Sequence, residues 1–206
     1  MFGISFGGGQ QRPSNFLHTN HDQSIIDEIR NTEVVKAIAR RVDFLLACYF
    51  LNLHSLYTNV LQDLCKHDGN LKPNWEGCCF AAASLNFQNA VTFSHRNYLN
   101  LLFGQCAVYS AGSFNYKKGG HLILWDLKLI LEFPPGCIIF LPSAMIRLRD
   151  LSFIDVFSAL GLFRWRHNTF MSDKDFVAGA SRDERATWDE HRRNLWQTGL
   201  KLLRSM

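Results

Sequence analysis

The stretch from Gly119 to Ser143, GGHLILWDLKLILEFPPGCIIFLPS, limits the fold more tightly than any other part of the chain. Short apolar runs alternate there with turn residues: HLILWDL, KLILEF, then Pro134-Pro135-Gly136, then CIIFLPS. Runs this short, closed by Gly and Pro, read as strands. Proline sets φ and glycine supplies the positive φ that a type II turn needs, so the Pro-Pro-Gly unit predicts a tight turn between two of them. The same texture continues on both sides. CCFAAASLNF, AVTFSH, CAVYSAGSF and FSALGLFRW are short apolar or alternating runs, punctuated at Gln88-Asn89 and from Asn115 to Gly120. Many short strands with turn signals between them predict a sandwich or barrel.

Upstream the period changes. Ile25, Ile26 and Ile29 follow Asp22 and Ser24, either of which suits a helix cap. Asn31 and Thr32 offer a second cap. Beyond them Val35, Ile38, Val42, Leu45, Tyr49, Leu53, Leu56, Val60 and Leu64 recur at three- and four-residue spacing. That stripe predicts one long helix or two consecutive ones, stopped at Asp68-Gly69-Asn70. In the tail, Trp188, Leu195, Trp196, Leu200 and Leu203 fall on one face of a helical pattern. The expected layout is therefore α+β: a flexible N-terminal arm over 1–20, then one domain over 21–206. Within that domain, helices over 22–67 and a C-terminal helix over 183–204 buttress a barrel over 78–166.

The 206 residues suit one well-filled core, and 47% of them are apolar. A net charge of +4 permits nucleic-acid binding without arguing for it. The first residues lack the charged and apolar regions of a signal peptide. The longest apolar run, Val42 to Leu53, is broken by Asp43 and Asn52, so no membrane partner is expected. Six cysteines, at 48, 65, 78, 79, 106 and 137, form no C-x-x-C pair. They read as buried or free thiols of an intracellular protein. No Gly-x-Ser-x-Gly elbow, His-Glu-x-x-His helix or phosphate loop is present.

His95 carries the main chemical signal. It closes the run Ala90–Phe93, and Asn97 follows two residues later. Alternate residues on an extended strand point the same way, so both could reach one ion. A facial iron site wants His-x-Asp there and a second histidine from a late strand. His121, His167 and His191 are the only later histidines, and none directly follows Phe140-Leu141-Pro142-Ser143. Arg147 and Arg149, with Ser152 downstream, are candidates to clamp a carboxylate in bidentate fashion, or are solvent-facing charges.

These residues resemble the fungal branch of the TET/JBP-like 2-oxoglutarate and Fe(II)-dependent dioxygenases, a family that accompanies transposons in mushroom-type fungi. The likeness covers nearly the whole chain. It includes Ser5-Phe6-Gly7-Gly8-Gly9-Gln10 with Arg12-Pro13, Phe80-Ala81-Ala82, and Asn86-Phe87. It continues through Gly104, Cys106-Ala107, Phe133-Pro134-Pro135-Gly136, Pro142-Ser143-Ala144 and Gly161-Leu162-Phe163-Arg164-Trp165. The family's His-x-Asp-x-x-Asn stands here as His95-Arg96-Asn97-Tyr98-Leu99-Asn100.

The resemblance implies a double-stranded β-helix (jelly-roll) barrel, Fe(II) and 2-oxoglutarate as cofactors, and oxidation of methylated bases in DNA, hence a nuclear role. It implies His95 and the residue at Asn97 as metal ligands, and Arg149, Ser152 and Asn100 as cosubstrate-binding residues. The departures fall on that chemistry. Asn97 replaces the ligand Asp, Leu148 stands where the distal histidine is expected, and the stretch from Ser143 to Phe163 is shorter than the family's. A degenerate copy without turnover is expected, with weak or lost iron binding; a reading frame lacking an exon segment near Arg147 would give the same pattern. The alternative is a barrel that binds nucleic acid or a protein without catalysis.

Overall fold

The computed structural model describes residues 1–86, 94–149 and 154–204, with the side chains of 149 and 204 left aside. Helices come first. α1 (Asn20–Asn31) starts at Thr19, whose hydroxyl accepts from the Asp22 N–H, so the cap lies before Asp22. α2 (Glu33–Tyr49) is capped by Thr32, which accepts from the Val35 N–H. At Phe50 the backbone leaves helical geometry, with φ −143° and ψ 56°, and α3 (Leu51–His67) resumes in a new direction. The apolar stripe is therefore carried by two helices. Val42, Leu46, Leu53, Tyr57, Val60 and Leu64 are buried, whereas Tyr49, beside the break, is turned out to solvent. Each fully buried leucine of such a stripe contributes about 1.5–3 kcal/mol.

The described residues form nine strands, which follow the alternation the sequence suggested with two differences. The strands are β1 (Phe2–Ser5), β2 (Ser14–Asn15), β3 (Ala82–Leu85), β4 (Cys106–Tyr109), β5 (Leu122–Leu124), β6 (Leu129–Leu131), β7 (Ile138–Leu141), β8 (Leu148–Arg149) and β9 (Ile154–Phe157). They form an antiparallel six-stranded sheet, β2-β1-β3-β9-β4-β7, and a three-stranded sheet, β6-β5-β8. The Pro-Pro-Gly turn takes the expected form: Gly136 has φ 86° and the Cys137 N–H donates to the Pro134 carbonyl.

The first difference is the N-terminal arm. Residues 1–20 include two strands of the larger sheet, and Phe2 and Ile4 are buried against it. Gly3 permits this close approach, since a Cβ there would strike the Ala81 carbonyl and Asn74. The second is FSALGLFRW, which forms the end of β9 and then α4 (Leu160–His167) rather than a further strand. Short apolar runs are ambiguous by periodicity alone. Here Leu162 is buried, Phe163 packs on Tyr57, and Gly161 lies against the Phe6 carbonyl.

The tail also differs from the single helix expected. After α5 (Asp173–Gly179), a capping box of Ser181 and Glu184 opens α6 (Arg182–Arg193), and Asn194 separates it from α7 (Leu195–Arg204). Leu195 and Leu203 pack on the core, while Trp196 and Leu200 are exposed.

The core is layered. On one face of the larger sheet, Ala83, Ala107, Ile154 and Val156 pack with Val42, Leu46, Leu53 and Tyr57 of α2 and α3. On the other face, Cys106, Val108 and Leu141 join Leu122, Leu124 and Leu148 of the smaller sheet, with Phe133 between them. The two sheets thus sandwich an apolar cluster, with the helices outside the larger one. A closed barrel is not formed by the described strands.

Candidate functional site

The smaller sheet is extended by one residue. The His95 N–H donates to the Leu148 carbonyl at 3.0 Å, and the Leu148 N–H returns a bond to His95 at 2.9 Å. Residues directly opposite in an antiparallel pair project to the same face. Leu148 projects into the apolar cluster between the sheets and is 2% exposed. His95 therefore faces the same interlayer space, at its open end.

That end is a cavity of about 480 Å³. The smaller sheet's edge supplies His95, Asn97 and Asn100, and the larger sheet supplies Ser84, Asp155 and Phe157 from its facing side. Ser84 and Asp155 are register partners across β3 and β9. Their neighbours Ala83, Ile154 and Val156 point to the helices, so alternation turns Ser84 and Asp155 inward. The loop from Ser5 to Gln10 covers one wall. Gln10 ties that loop together, accepting from the Gly7 N–H at 3.0 Å and donating to Ser14 Oγ at 2.9 Å.

The turn that holds Asn97 is fixed at both ends. The Asn97 N–H donates to the Ser143 carbonyl, the Asn100 N–H closes on the Asn97 carbonyl, and Asn100 Nδ2 donates to Ser143 Oγ at 3.0 Å. Buried Ser143 is thus the anchor of the turn, and Asn100, though it lines the cavity, spends an amide donor on it. Leu99 and Leu101 bond across to Leu160 and Ser158, which locks the turn onto the start of α4.

The other candidates lie elsewhere. Arg147 is half exposed and pairs with Asp126, which also receives Arg96 at 3.0 Å. The Arg147 N–H reaches the same carboxylate at 2.6 Å. That N–H, with Arg96 behind it, holds the Asp126 carboxyl below the usual range. Arg149 stands in register with Ile123 in β8, and Ser152 lies outside the described residues, as does the predicted strand Ala90–Phe93. His121 follows Gly120 on the approach to β5 and does not line the cavity. His167 stacks on His191 with ring centroids 3.9 Å apart, at a separate pocket between α3, α4, α6 and α7.

Asp155 is the residue the sequence reading missed. The available signal was a charged side chain inside the otherwise apolar run Ile154-Asp155-Val156-Phe157. The cavity thus offers one imidazole from one sheet and one carboxylate from the other, with amides and a hydroxyl between. No family model matches this chain, and no curated protein is significantly similar to it.

Proposed function

We propose that this chain is a double-stranded β-helix of the 2-oxoglutarate/Fe(II) dioxygenase type that has lost turnover. Strand order supports the architecture. Counted from β3, with the His95 bridge as the second member, one sheet runs first-eighth-third-sixth and the other second-seventh-fourth-fifth. That interleaving is what winding a folded-over hairpin into two facing sheets produces.

One observation carries the functional reading: Leu148 is paired directly with His95 and is packed into the apolar cluster. The distal imidazole is expected at that position. The donor set there does not fit a two-histidine, one-carboxylate iron site, because Asn97 is neutral and Asp155 with His95 still leaves one strong nitrogen donor missing. Titration of the purified chain with Fe(II) under anaerobic conditions is expected to give no stoichiometric binding, and incubation with 2-oxoglutarate no succinate. Tight one-to-one binding or cosubstrate-dependent succinate release would overturn the proposal.

A second reading, a barrel that binds nucleic acid without catalysis, is favoured by the surface beside the cavity. Tyr98 (76% exposed) lines the cavity with Arg96, and Trp125 (46%) is bonded through its backbone to Arg147, bringing together the residue types that stack bases and track phosphates. Retardation of single-stranded DNA that is indifferent to iron and 2-oxoglutarate, and weakened in Tyr98→Ala and Trp125→Ala, is its expected signature. No retardation at low salt would remove it.

A further inference from the structure

Asp43 of α2, His54 of α3 and Cys79, on the segment that enters β3, meet on the helical side of the larger sheet. They share no cavity with His95. His54 Nε2 lies 3.1 Å from both carboxylate oxygens of Asp43. The Cys79 N–H donates to Asp43 Oδ1 at 2.9 Å, which draws the carboxylate toward the thiol. One imidazole nitrogen, one carboxylate oxygen and the Cys79 sulfur all lie within 4.8 Å of one another. Donors around tetrahedral zinc stand about 3.3–3.7 Å apart, given bonds of about 2.0–2.3 Å. The triangle therefore needs a contraction of no more than about 1 Å along any edge to reach that spacing.

We propose that Asp43, His54 and Cys79 form a binding site for a zinc-like divalent transition metal. The mixed nitrogen, sulfur and oxygen set suits zinc or cobalt and disfavours calcium and magnesium, which take oxygen ligands. The site keeps an open side. A cavity of about 370 Å³ adjoins the three donors; its wall is mostly apolar, with Leu61, Pro73 and Trp75, but Thr58, Gln62 and Glu76 also border it and leave room for a fourth ligand. Binding is balanced in charge. The Cys79 thiol proton leaves to water, and a 2+ ion then meets one thiolate, one carboxylate and one neutral imidazole.

A nucleophilic cysteine is the obvious competitor. Cys79 is 3% exposed, so its sulfur is shielded from a substrate in solvent. The arrangement therefore lacks an accessible attacking sulfur, whereas a bound cation would itself stabilise the thiolate that ligation requires.

The test is metal titration of the full chain stripped with chelator. Zn²⁺ in competition with a chromogenic chelator is expected to bind one equivalent. Co²⁺ is expected to give a tetrahedral visible spectrum with a thiolate-to-metal charge-transfer band. Cys79→Ser should abolish that band, and His54→Gln should weaken binding by at least about tenfold, the lower bound set by losses one shell further out. Cys48→Ser and His95→Ala should leave both readouts unchanged. Should Cys79→Ser fail to fold, the parent chain still decides the matter: Zn²⁺ added to the chelator-stripped chain should raise its urea unfolding midpoint. Absence of stoichiometric binding, a charge-transfer band that survives Cys79→Ser, or an unfolding midpoint indifferent to Zn²⁺ would each overturn the proposal.

Discussion

Replacing Leu148 by histidine puts the case for a lost site to a quantitative trial. Leu148 packs among Cys106, Val108, Leu122, Leu124 and Leu141 and is 2% exposed. Its backbone bonds to His95 do not depend on the side chain, so Leu148→His tests the packing alone. Loss of the buried leucine costs about 2 kcal/mol of apolar transfer. Burying an imidazole without a partner in that cluster costs about 1–3 kcal/mol more. Together these give about 3–5 kcal/mol, close to the cost of about 3–5 kcal/mol expected for Leu148→Ala, where a cavity replaces the polar penalty. With a urea slope of about 2 kcal/mol per molar, the unfolding midpoint should fall by about 2 M. Urea titration followed by circular dichroism checks this, with and without Fe(II). A midpoint within about 0.5 M of the parent, or one restored by Fe(II), would show a position still built to present a ligand.

Four further outcomes are expected. Gly104→Ala places a Cβ against the Tyr57 hydroxyl, which donates to the Gln105 carbonyl at 3.2 Å, and should cost about 1–3 kcal/mol in denaturant titration. Gly119→Ala, with nothing within 4 Å of the added atom, should change stability by less than about 0.5 kcal/mol. The Asp126 carboxyl, held down by the Arg147 N–H and by Arg96, should titrate by NMR below the ordinary value of about 3.9. Its contribution is complete above that ordinary value and is lost as pH falls through the lowered one, so Asp126→Asn should flatten part of the acid limb of stability. Burial, then His191 and Arg166, push His167 below the usual histidine range. The unfolded chain therefore takes up that proton first, and stability should decline as pH drops below about 6.5 in the parent and less steeply in His167→Gln.

The helical front and the hairpin at Pro134 were legible because their signals are local. A stripe at helical spacing, Thr32 as a cap and a glycine in a positive-φ turn each act within a few residues. β1 was hidden because its pattern is four residues long and starts beside a glycine, and only pairing with β3 makes it a strand. α4 was misread because its buried face is defined by Phe6 and α3, neither of which its own sequence announces. The candidate site was half legible. His95 and Asn97 are two residues apart, but Asp155 joins them only through the facing of two sheets. Asp43, His54 and Cys79 show no common motif spacing at all, because three separate elements deliver them.

The interleaved strand order has a kinetic side. α1 to α3 can form from contacts close in sequence, whereas Ala82 needs Gly3 on one side and Phe157 on the other, and Cys106 needs Leu141, all distant in sequence. Closing such long loops costs chain entropy before any ladder rewards it, so the sheets should assemble late and slowly on a helical layer already in place. Until β9 arrives, β3 and β4 each present an open edge, and that interval is when this chain is most exposed to pairing with another copy of itself.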